Sequence, residues 1–302
     1  MRIRSDSEPA ATLPPRPLSE VLTEIRGETG LDLAPARLRV GFARGHLLEV
    51  VVRHPEFGSA DDERALDAAN LLVRGLLGDS AFDVWIGAVD VAPAPRGGSL
   101  RVLPSGATPP AETSITPAEL LPAVEAAVRS VDAALPAVPY PLALEAPPWT
   151  LLEAVPEPAD DYAAQDDVAL FSTALPEGIK SFLEGSPFSS RRFSRHGETF
   201  VYLKSDAGAD APEARHGRRV ALEEALDGAL RPSGLGCVVG AGLGIRYVYV
   251  ALALVRFEEA LRVASARLRE LDVPRRSWFL FYDEARKEAF VPVWSDGPPP
   301  PR

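Results

Sequence analysis

The most conspicuous chemical pattern in the sequence is the glycine-rich stretch Gly240-Ala241-Gly242-Leu243-Gly244. A dinucleotide site requires G-x-G-x-x-G leading into a helix whose N-terminus holds the pyrophosphate. Here the spacing is G-x-G-x-G, and residues 245–250 are β-branched and aromatic, which is typical of a strand. The stretch therefore predicts a β-β turn in which glycine supplies positive φ, in preference to an anion-binding nest or a nucleotide site.

Nucleophilic and metal-ligating side chains are few. Cys237 stands next to two valines, which favours a buried small hydrophobic side chain over a nucleophile. The four histidines have no metal-ligand spacing, and one cysteine cannot complete a structural zinc site. The chain has no G-x-S-x-G serine and no Walker A lysine. These patterns predict no catalytic residue, no metal and no cofactor.

Adjacent acidic residues are frequent. Acid–base catalysis needs two carboxylates in different environments that face one cleft. Neighbouring acids on a helix face or in a linker point to solvent, so we interpret these pairs as surface charge. The pairs are Asp61-Asp62, Asp160-Asp161, Asp166-Asp167 and Glu223-Glu224.

Two basic runs contrast with a net charge of −11. The run 186–196 interleaves arginines with Phe188 and Phe193, and the run 215–219 opens the next predicted helix. Only one strand and one loop separate them, so we expect one surface that recognises an acidic protein partner through planar guanidinium groups. A solvated loop and helix start is the alternative, with RNA as a further one. The predicted binding residues are Arg191, Arg192, Phe193, Arg195, Arg218 and Arg219.

Composition bounds the class of protein. A hydrophobic fraction of 46% and a charged fraction of 25% are ordinary for a folded chain of 302 residues. The acidic balance makes a nucleic-acid partner unlikely, since phosphate neutralisation needs a basic surface. The start of the chain lacks an apolar signal region, and the longest apolar stretch, 247–255, is too short to cross a membrane. With a lone cysteine, these features predict a cytoplasmic protein without membrane contact.

The elements form an α+β pattern in two predicted domains. In the first, 17–154, apolar spacing predicts a helix from Leu18, a hairpin over 38–52, a helix over 62–77, strands at 82–91 and 99–103, a helix from the capping box Thr116–Glu119, and a strand at 149–153. We expect a mixed sheet packed on helices. Residues 1–16 are predicted to be disordered, and the acidic, proline-containing segment 155–167 is predicted to be an exposed linker.

The second predicted domain, 168–296, begins with a strand and a short helix. From Thr199 onward its elements follow the order β-α-β-β-α-β, which is typical of the ferredoxin-like (split βαβ) fold. The predicted elements are strands at 199–203, 234–239 and 245–255, helices at 213–230 and 257–271, and a closing hairpin at 277–294. Residues 297–302 are predicted to form a polyproline tail.

The glycines between helix and strand over residues 199–294 resemble those of small, uncharacterised bacterial ferredoxin-like domains, including immunity proteins of polymorphic toxin systems. The resemblance rests on Gly234-Leu235-Gly236, the stretch 240–244 and Val273-Pro274. Where those domains have a G-G-G-T type turn, this chain has Gly240-Ala241-Gly242-Leu243. The resemblance implies no catalytic residues. It implies a non-enzymatic bacterial binding protein, of which a toxin-neutralising immunity protein is one form. The alternatives are an enzyme with a site in the interdomain cleft and a structural subunit of a larger assembly.

Overall fold

The computed structural model describes residues 12–58, 63–94, 114–143, 148–208 and 210–302. The chain is α+β and contains two sheets. It divides into two compact units between Ala134 and Leu135. We refer to them as the N-terminal unit and the C-terminal unit.

The N-terminal unit has a three-stranded sheet in the order β1-β2-β3, with β1 and β2 antiparallel and β2 and β3 parallel. Gly78, at φ 75°, separates two of its helices, because glycine takes positive φ without steric cost. The elements are α1 Leu18–Thr29, β1 Arg37–Phe42, β2 Leu48–His54, α2 Glu63–Leu77, α3 Asp79–Trp85, β3 Ile86–Pro93 and α4 Leu120–Ala134.

Sequence patterns predict most of these elements. The capping box is confirmed: the Thr116 amide donates to Glu119 Oε2 at 2.7 Å at the turn that leads into α4. The strand predicted from Phe82 is wrong at its start, because residues 79–85 are helical and β3 begins at Ile86. The strand predicted at 99–103 lies outside the described residues.

The C-terminal unit contains a seven-stranded antiparallel sheet in the order β10-β9-β6-β8-β7-β5-β4. The order of the elements along the chain from β6 to β9 agrees with the sequence prediction. The elements are β4 Thr150–Glu153, β5 Val168–Thr173, α5 Pro176–Leu183, β6 Thr199–Asp206, α6 Pro212–Leu230, β7 Gly236–Gly244, β8 Tyr247–Leu254, α7 Phe257–Glu270, β9 Ser277–Phe281 and β10 Phe290–Pro292.

The segment 155–167 is not a connection between the two units. β4, which precedes it, pairs with β5, which follows it, so both belong to one sheet. Tyr162, Gln165 and Asp167 are buried, while residues 157–160 are exposed. The expectation of an exposed linker at a domain boundary is therefore wrong. Two acids of the segment have partners elsewhere in the unit. Asp161 accepts hydrogen bonds from Tyr247 and Arg276, and Asp167 accepts one from Tyr249.

The two faces of this sheet are covered differently. On one face α6 and α7 pack leucines and alanines, among them Leu226 and Leu261, onto an aliphatic cluster. On the other face an aromatic cluster that includes Phe171, Tyr202 and Tyr249 lies under loops and α5. We call them the helix face and the aromatic face.

Gly240–Gly244 is a strand, so the predicted β-β turn is misplaced. These residues pair with both β8 and β5, and the turn lies at residues 245–246. No positive φ occurs among these glycines. A Cβ on Gly242 would overlap the ring of Phe171, and one on Gly244 would overlap the Asp167 carboxylate. Glycine is needed here because neighbouring side chains approach the backbone closely.

The described parts of both chain ends are anchored. Leu13 donates its amide to Asp79 Oδ2 at 2.9 Å, and Arg16 pairs with Glu24 at 2.6 Å. At the other end Trp278 Nε1 donates to the Pro298 carbonyl at 2.7 Å. Disorder is therefore wrong for residues 12–16, and the proline tail is attached at its start; residues 1–11 lie outside the described residues.

Candidate functional site

The first predicted basic run is built into the C-terminal unit rather than displayed on it. Arg192 is 2% exposed and donates to the Pro187 carbonyl, and burial lowers its pKa to about 10. Phe193 is also buried and stacks on Phe188, with ring centroids 4.9 Å apart. Arg191 and Arg195 are exposed, and Arg195 Nε donates to a backbone carbonyl at 2.9 Å.

The second basic run lies elsewhere. Arg218 pairs with Asp210 at 2.8 Å and also donates to the Asp206 carbonyl, at the end of β6. Arg219 pairs with Glu223 in the next turn of α6. The first run contacts the start of β6, where the Phe200 amide donates to Ser190 Oγ at 3.0 Å. Six strand residues span about 20 Å. The single surface of five arginines is therefore wrong, and recognition by either run stays a prediction.

A strap, residues 158–167, crosses the aromatic face and is fastened mainly by Asp167. This side chain is fully buried. Its Oδ2 accepts the backbone amides of Arg246 at 2.8 Å and Tyr247 at 2.9 Å, and its Oδ1 accepts the Tyr249 hydroxyl. One carboxylate thus satisfies the donors of the β7–β8 turn and holds the strap against β8.

Asp161 fastens the middle of the strap. It accepts hydrogen bonds from the Tyr247 hydroxyl and from Arg276. Burial opposes ionisation, but the bonds from Tyr247, the Tyr162 amide and Arg276 prevail and lower the pKa of Asp161 to about 2. Arg276 also donates to Asp206 at 2.8 Å. The interpretation of acidic pairs as surface charge is therefore wrong for Asp161 and Asp167, and Asp61-Asp62 lies outside the described residues.

Lys204 is the buried cation beneath the strap. Its ammonium donates to the Tyr162 carbonyl and lies 4.1 Å from the centroid of the Tyr247 ring. Burial lowers the pKa of Lys204 to about 8, against the opposing charges of Asp167 and Asp161. A lysine with a lowered pKa can act as a nucleophile or base, but this side chain is fully buried. Its contacts attach the strap to the sheet.

Cys237 is buried as predicted, and burial raises the pKa of its thiol to about 12. A thiol held in its protonated form is a poor nucleophile. Among the residues that the structure describes, no group of three or more His, Cys, Asp or Glu side chains could hold a metal ion.

On the helix face, one side of α6 and the end of β4 form a groove that we call the edge groove. Leu222, Leu226 and Leu230 of α6 point into the core, so the neighbouring side of the helix is left to line the groove. The groove encloses about 640 Å³, which is room for several side chains of a partner. Its lining residues are Trp149, Arg219, Val220, Glu223, Glu224, Asp227, Gly228, Arg231 and Val238.

Beyond the edge groove, the described part of the chain leaves hydrophobic side chains exposed on the helix face of β4 and β5. Paired residues of neighbouring strands share a face, and Leu243, which packs on the helix-face cluster, pairs with Leu170. Leu170 pairs with Glu153, which places Leu151 and Trp149 on the same face because side chains alternate. Leu151 is 60% exposed, Trp149 45% and Leu170 37%. We call Trp149, Leu151 and Leu170 the open face.

The backbone of β4 is also open on one side. Among the described residues β4 pairs only with β5, and the Ala154 amide donates to the Ala169 carbonyl across that pair. Bonded and non-bonded positions alternate in an antiparallel ladder. The amides and carbonyls of Leu151 and Glu153 therefore point away from β5, toward the free edge.

The charges around this edge are predominantly negative. Residues 148–160 contain Glu153, Glu157 and Asp160 and no lysine or arginine. In the edge groove both arginines are paired with acids of α6, as in the Arg231–Asp227 contact at 2.7 Å. Glu224 is exposed and makes no ion pair with the described residues. The surroundings thus favour a cationic ligand.

No protein-family model, no curated protein and no solved structure matches this chain. The resemblance of residues 199–294 to bacterial ferredoxin-like domains therefore stays a prediction. Within the described parts of the chain, no helix has the length and apolar character needed to cross a membrane.

Sequence reasoning missed both the edge groove and the strap. Trp149 is a visible signal, because it begins a predicted strand in the range 147–158, which contains four prolines, and it has no predicted core partner. Lys204 is a second signal. It directly follows the predicted apolar strand 199–203, and a lysine buried at that position needs a partner. Neither signal could name the contacting residues, which are 40 or more positions away in the chain.

Proposed function

We propose that this chain is a non-enzymatic binding protein that contacts a protein partner through the open face and the edge groove. The observation that carries the proposal is the exposure of Leu151 on β4 and of Trp149 next to it, at a strand edge that no strand of the described residues pairs with. Aromatic and leucine side chains that are exposed together, with a polar rim, mark interaction sites rather than ordinary surface. The burial of Lys204 and Cys237, the two side chains with nucleophilic chemistry considered above, supports a binding role.

The strand order supports a finer proposal about the fold. Taken in chain order, β6, β7, β8 and β9 lie in the sheet as β9-β6-β8-β7, and α6 and α7 connect them on one face. We propose a ferredoxin-like core for residues 199–281, extended at one side by β5 and β4 and at the other by β10. An immunity protein that neutralises a toxin is one binding protein of this kind, and that prediction rests on the sequence resemblance alone.

A photo-crosslinking experiment tests the binding role. A photoreactive phenylalanine analogue is placed at position 151 and, as a matched control, at position 183, because Leu183 is 46% exposed at the end of α5. In cells of the native host we expect one discrete protein to be linked from position 151 and not from position 183. The linked protein, once purified, should bind the Leu151→Asp variant at least tenfold more weakly than the wild type.

Besides a failure of position 151 to label any protein, two outcomes would contradict the proposal. One is equal labelling from positions 151 and 183, which indicates nonspecific collision. The other is a purified partner that binds the wild type and the Leu151→Asp variant equally well, which places the interface elsewhere.

A further inference from the structure

The two edges of the seven-stranded sheet differ in how they are protected. Sheet edges expose unpaired backbone groups, and proteins block them with prolines, lysines, bulges or short strands. The β10 edge is blocked, since its strand ends in Pro292, which has no amide to donate. The β4 edge, Thr-Leu-Leu-Glu, has no proline, no lysine and no register shift against β5. Its outward amides and carbonyls at Leu151 and Glu153 are those that strand addition would use.

We infer that the partner contributes an extended basic segment, which adds to the free edge of β4 as an eighth strand. This inference rests on the proposed function and specifies its ligand. An added strand accepts hydrogen bonds from the amides of Leu151 and Glu153 and donates hydrogen bonds to their carbonyls. Its alternate side chains then extend the helix face and pack on Trp149 and Leu151.

Charge decides the chemistry of the segment. The added strand runs beside Glu153, and residues 148–160 offer no basic group. Glu224 of α6 lines the edge groove together with Trp149. Glu153 lies on the helix face with Leu151 and Trp149. A lysine or arginine on that face of the added strand, beside Glu153, would meet a complementary carboxylate, whereas an acidic side chain there would be repelled. The exposed ring of Trp149 is in addition a surface on which a guanidinium group stacks. A segment that places both apolar and basic side chains on the helix face suits Trp149, Leu151 and Glu153 together.

The probe is a ten-residue peptide in which every second position, on one face of the strand, is leucine, valine or lysine, and the other positions are threonine. Its counterpart carries glutamate in place of lysine. Binding to the full chain is measured by fluorescence anisotropy at 50 mM and 300 mM salt. We expect the basic peptide to bind at least tenfold more tightly than the acidic one, and at least threefold more weakly at the higher salt concentration. Equal binding of the two peptides, or no binding of either, would overturn the inference.

The variant Leu151→Pro separates strand addition from simple attraction. Proline at this position removes an outward amide without removing a β4–β5 hydrogen bond. We expect the peptide affinity to fall at least tenfold. The matched control Leu151→Thr keeps the amide and should lose less. If proline also disturbs the fold, hydrogen exchange on the wild type decides: the amides of Leu151 and Glu153 should gain protection on peptide binding, and unchanged exchange would contradict an added strand.

The failures of the two proposals are distinguishable. Suppose that position 151 crosslinks a partner whose affinity changes neither with salt concentration nor with Leu151→Pro. The binding role then stands, and the inference that the partner adds a basic strand to β4 is wrong. If sedimentation shows a concentration-dependent dimer that Leu151→Pro abolishes, the occupant of the edge is a second copy, and the basic segment is again wrong. If position 151 labels no protein in the host, the proposed function itself fails.

Discussion

The strap and the edge groove lie on opposite faces of one sheet and use aromatic and charged residues in opposite ways. In the strap, Asp167 and Lys204 are fully buried, and each has hydrogen-bond partners inside the molecule. At the edge, Leu151 and Trp149 are exposed, and so are the carboxylates of Glu153, Glu157 and Glu224. Groups satisfied internally contribute to stability, whereas groups left unsatisfied are available to a partner. The comparison assigns stability to the strap and recognition to the edge.

The largest effect is expected from Asp167→Ala. Its carboxylate accepts two backbone amides and the Tyr249 hydroxyl, so truncation leaves buried donors unpaired. We expect the free energy of unfolding to fall by about 3 kcal/mol. Urea unfolding followed by circular dichroism measures it. Asp160→Ala is the control, because the Asp160 side chain is exposed, and it should change the free energy of unfolding by less than about 0.5 kcal/mol. If the two variants lowered the free energy of unfolding equally, the buried contacts of Asp167 would contribute no more to stability than an exposed carboxylate does.

Gly242→Val tests how the sheet supports the strap and should cost about 2 kcal/mol, because the new side chain would overlap the Phe171 ring. Gly41→Val in β1 is the control, since nothing lies within 4 Å of a Cβ at that position. Thermal unfolding reports both. If Gly242→Asn were tolerated while Gly242→Ala were not, a positive-φ requirement would replace close approach as the reason.

The same glycines show where sequence reasoning succeeds and fails. Period and capping predict α4, α6, α7 and the closing hairpin, because these patterns are local. A G-x-G-x-G stretch does not reveal that Phe171 and Asp167, about 75 residues earlier, lie over it. Likewise, the segment 155–167 has the composition of a linker, and only the pairing of β4 with β5 shows that it is a strap. Local composition does not show which side chains from distant parts of the sequence will contact a segment.

The sequence joins the two basic runs into one surface from charge alone, and recognition by either run stays a prediction. Arginine runs mark a surface only when the guanidinium groups lack partners within the fold. Arg192 is buried, and Arg218 and Arg219 are paired with acids. The open face could not be predicted because it depends on which strand lies at the edge, and strand order is a property of the whole sheet. The sequence gives no signal that separates the exposed Leu151 from the partly buried Leu152.

Lys204 provides a pH test of the strap. Its folded pKa of about 8 lies below the ordinary lysine value, so above pH 8 the unfolded chain binds more protons at this residue. The free energy of unfolding should therefore rise with pH, by about 1 kcal/mol from pH 7.5 to pH 9. Burial raises the pKa of Cys237 to about 12. Above about pH 9 the thiol therefore ionises more readily in the unfolded chain, which lowers the free energy of unfolding and limits the rise to lower pH.

The difference between the wild type and Lys204→Met isolates the lysine, because all other groups titrate in both proteins. Urea unfolding at several pH values should show a rise that is present in the wild type and absent in the variant. Parallel pH profiles would mean that the ammonium is hydrated in the folded protein, and the strap would then not be the dry, internally satisfied region that the comparison requires.

The smallest effect on stability is expected at the edge of the sheet. It is measured by comparing the same substitution at two adjacent residues of β4. Leu151 is 60% exposed on the open face, whereas Leu152 is partly buried against the aromatic cluster on the other face. Leu151→Asp should change the free energy of unfolding by less than about 0.5 kcal/mol, and Leu152→Asp should lower it by about 2 kcal/mol. Urea unfolding of the two variants compares one substitution on two sides of the same strand. A cost at Leu151 equal to that at Leu152 would mean that the open face is covered in solution, and Leu151→Asp could then no longer separate binding from folding.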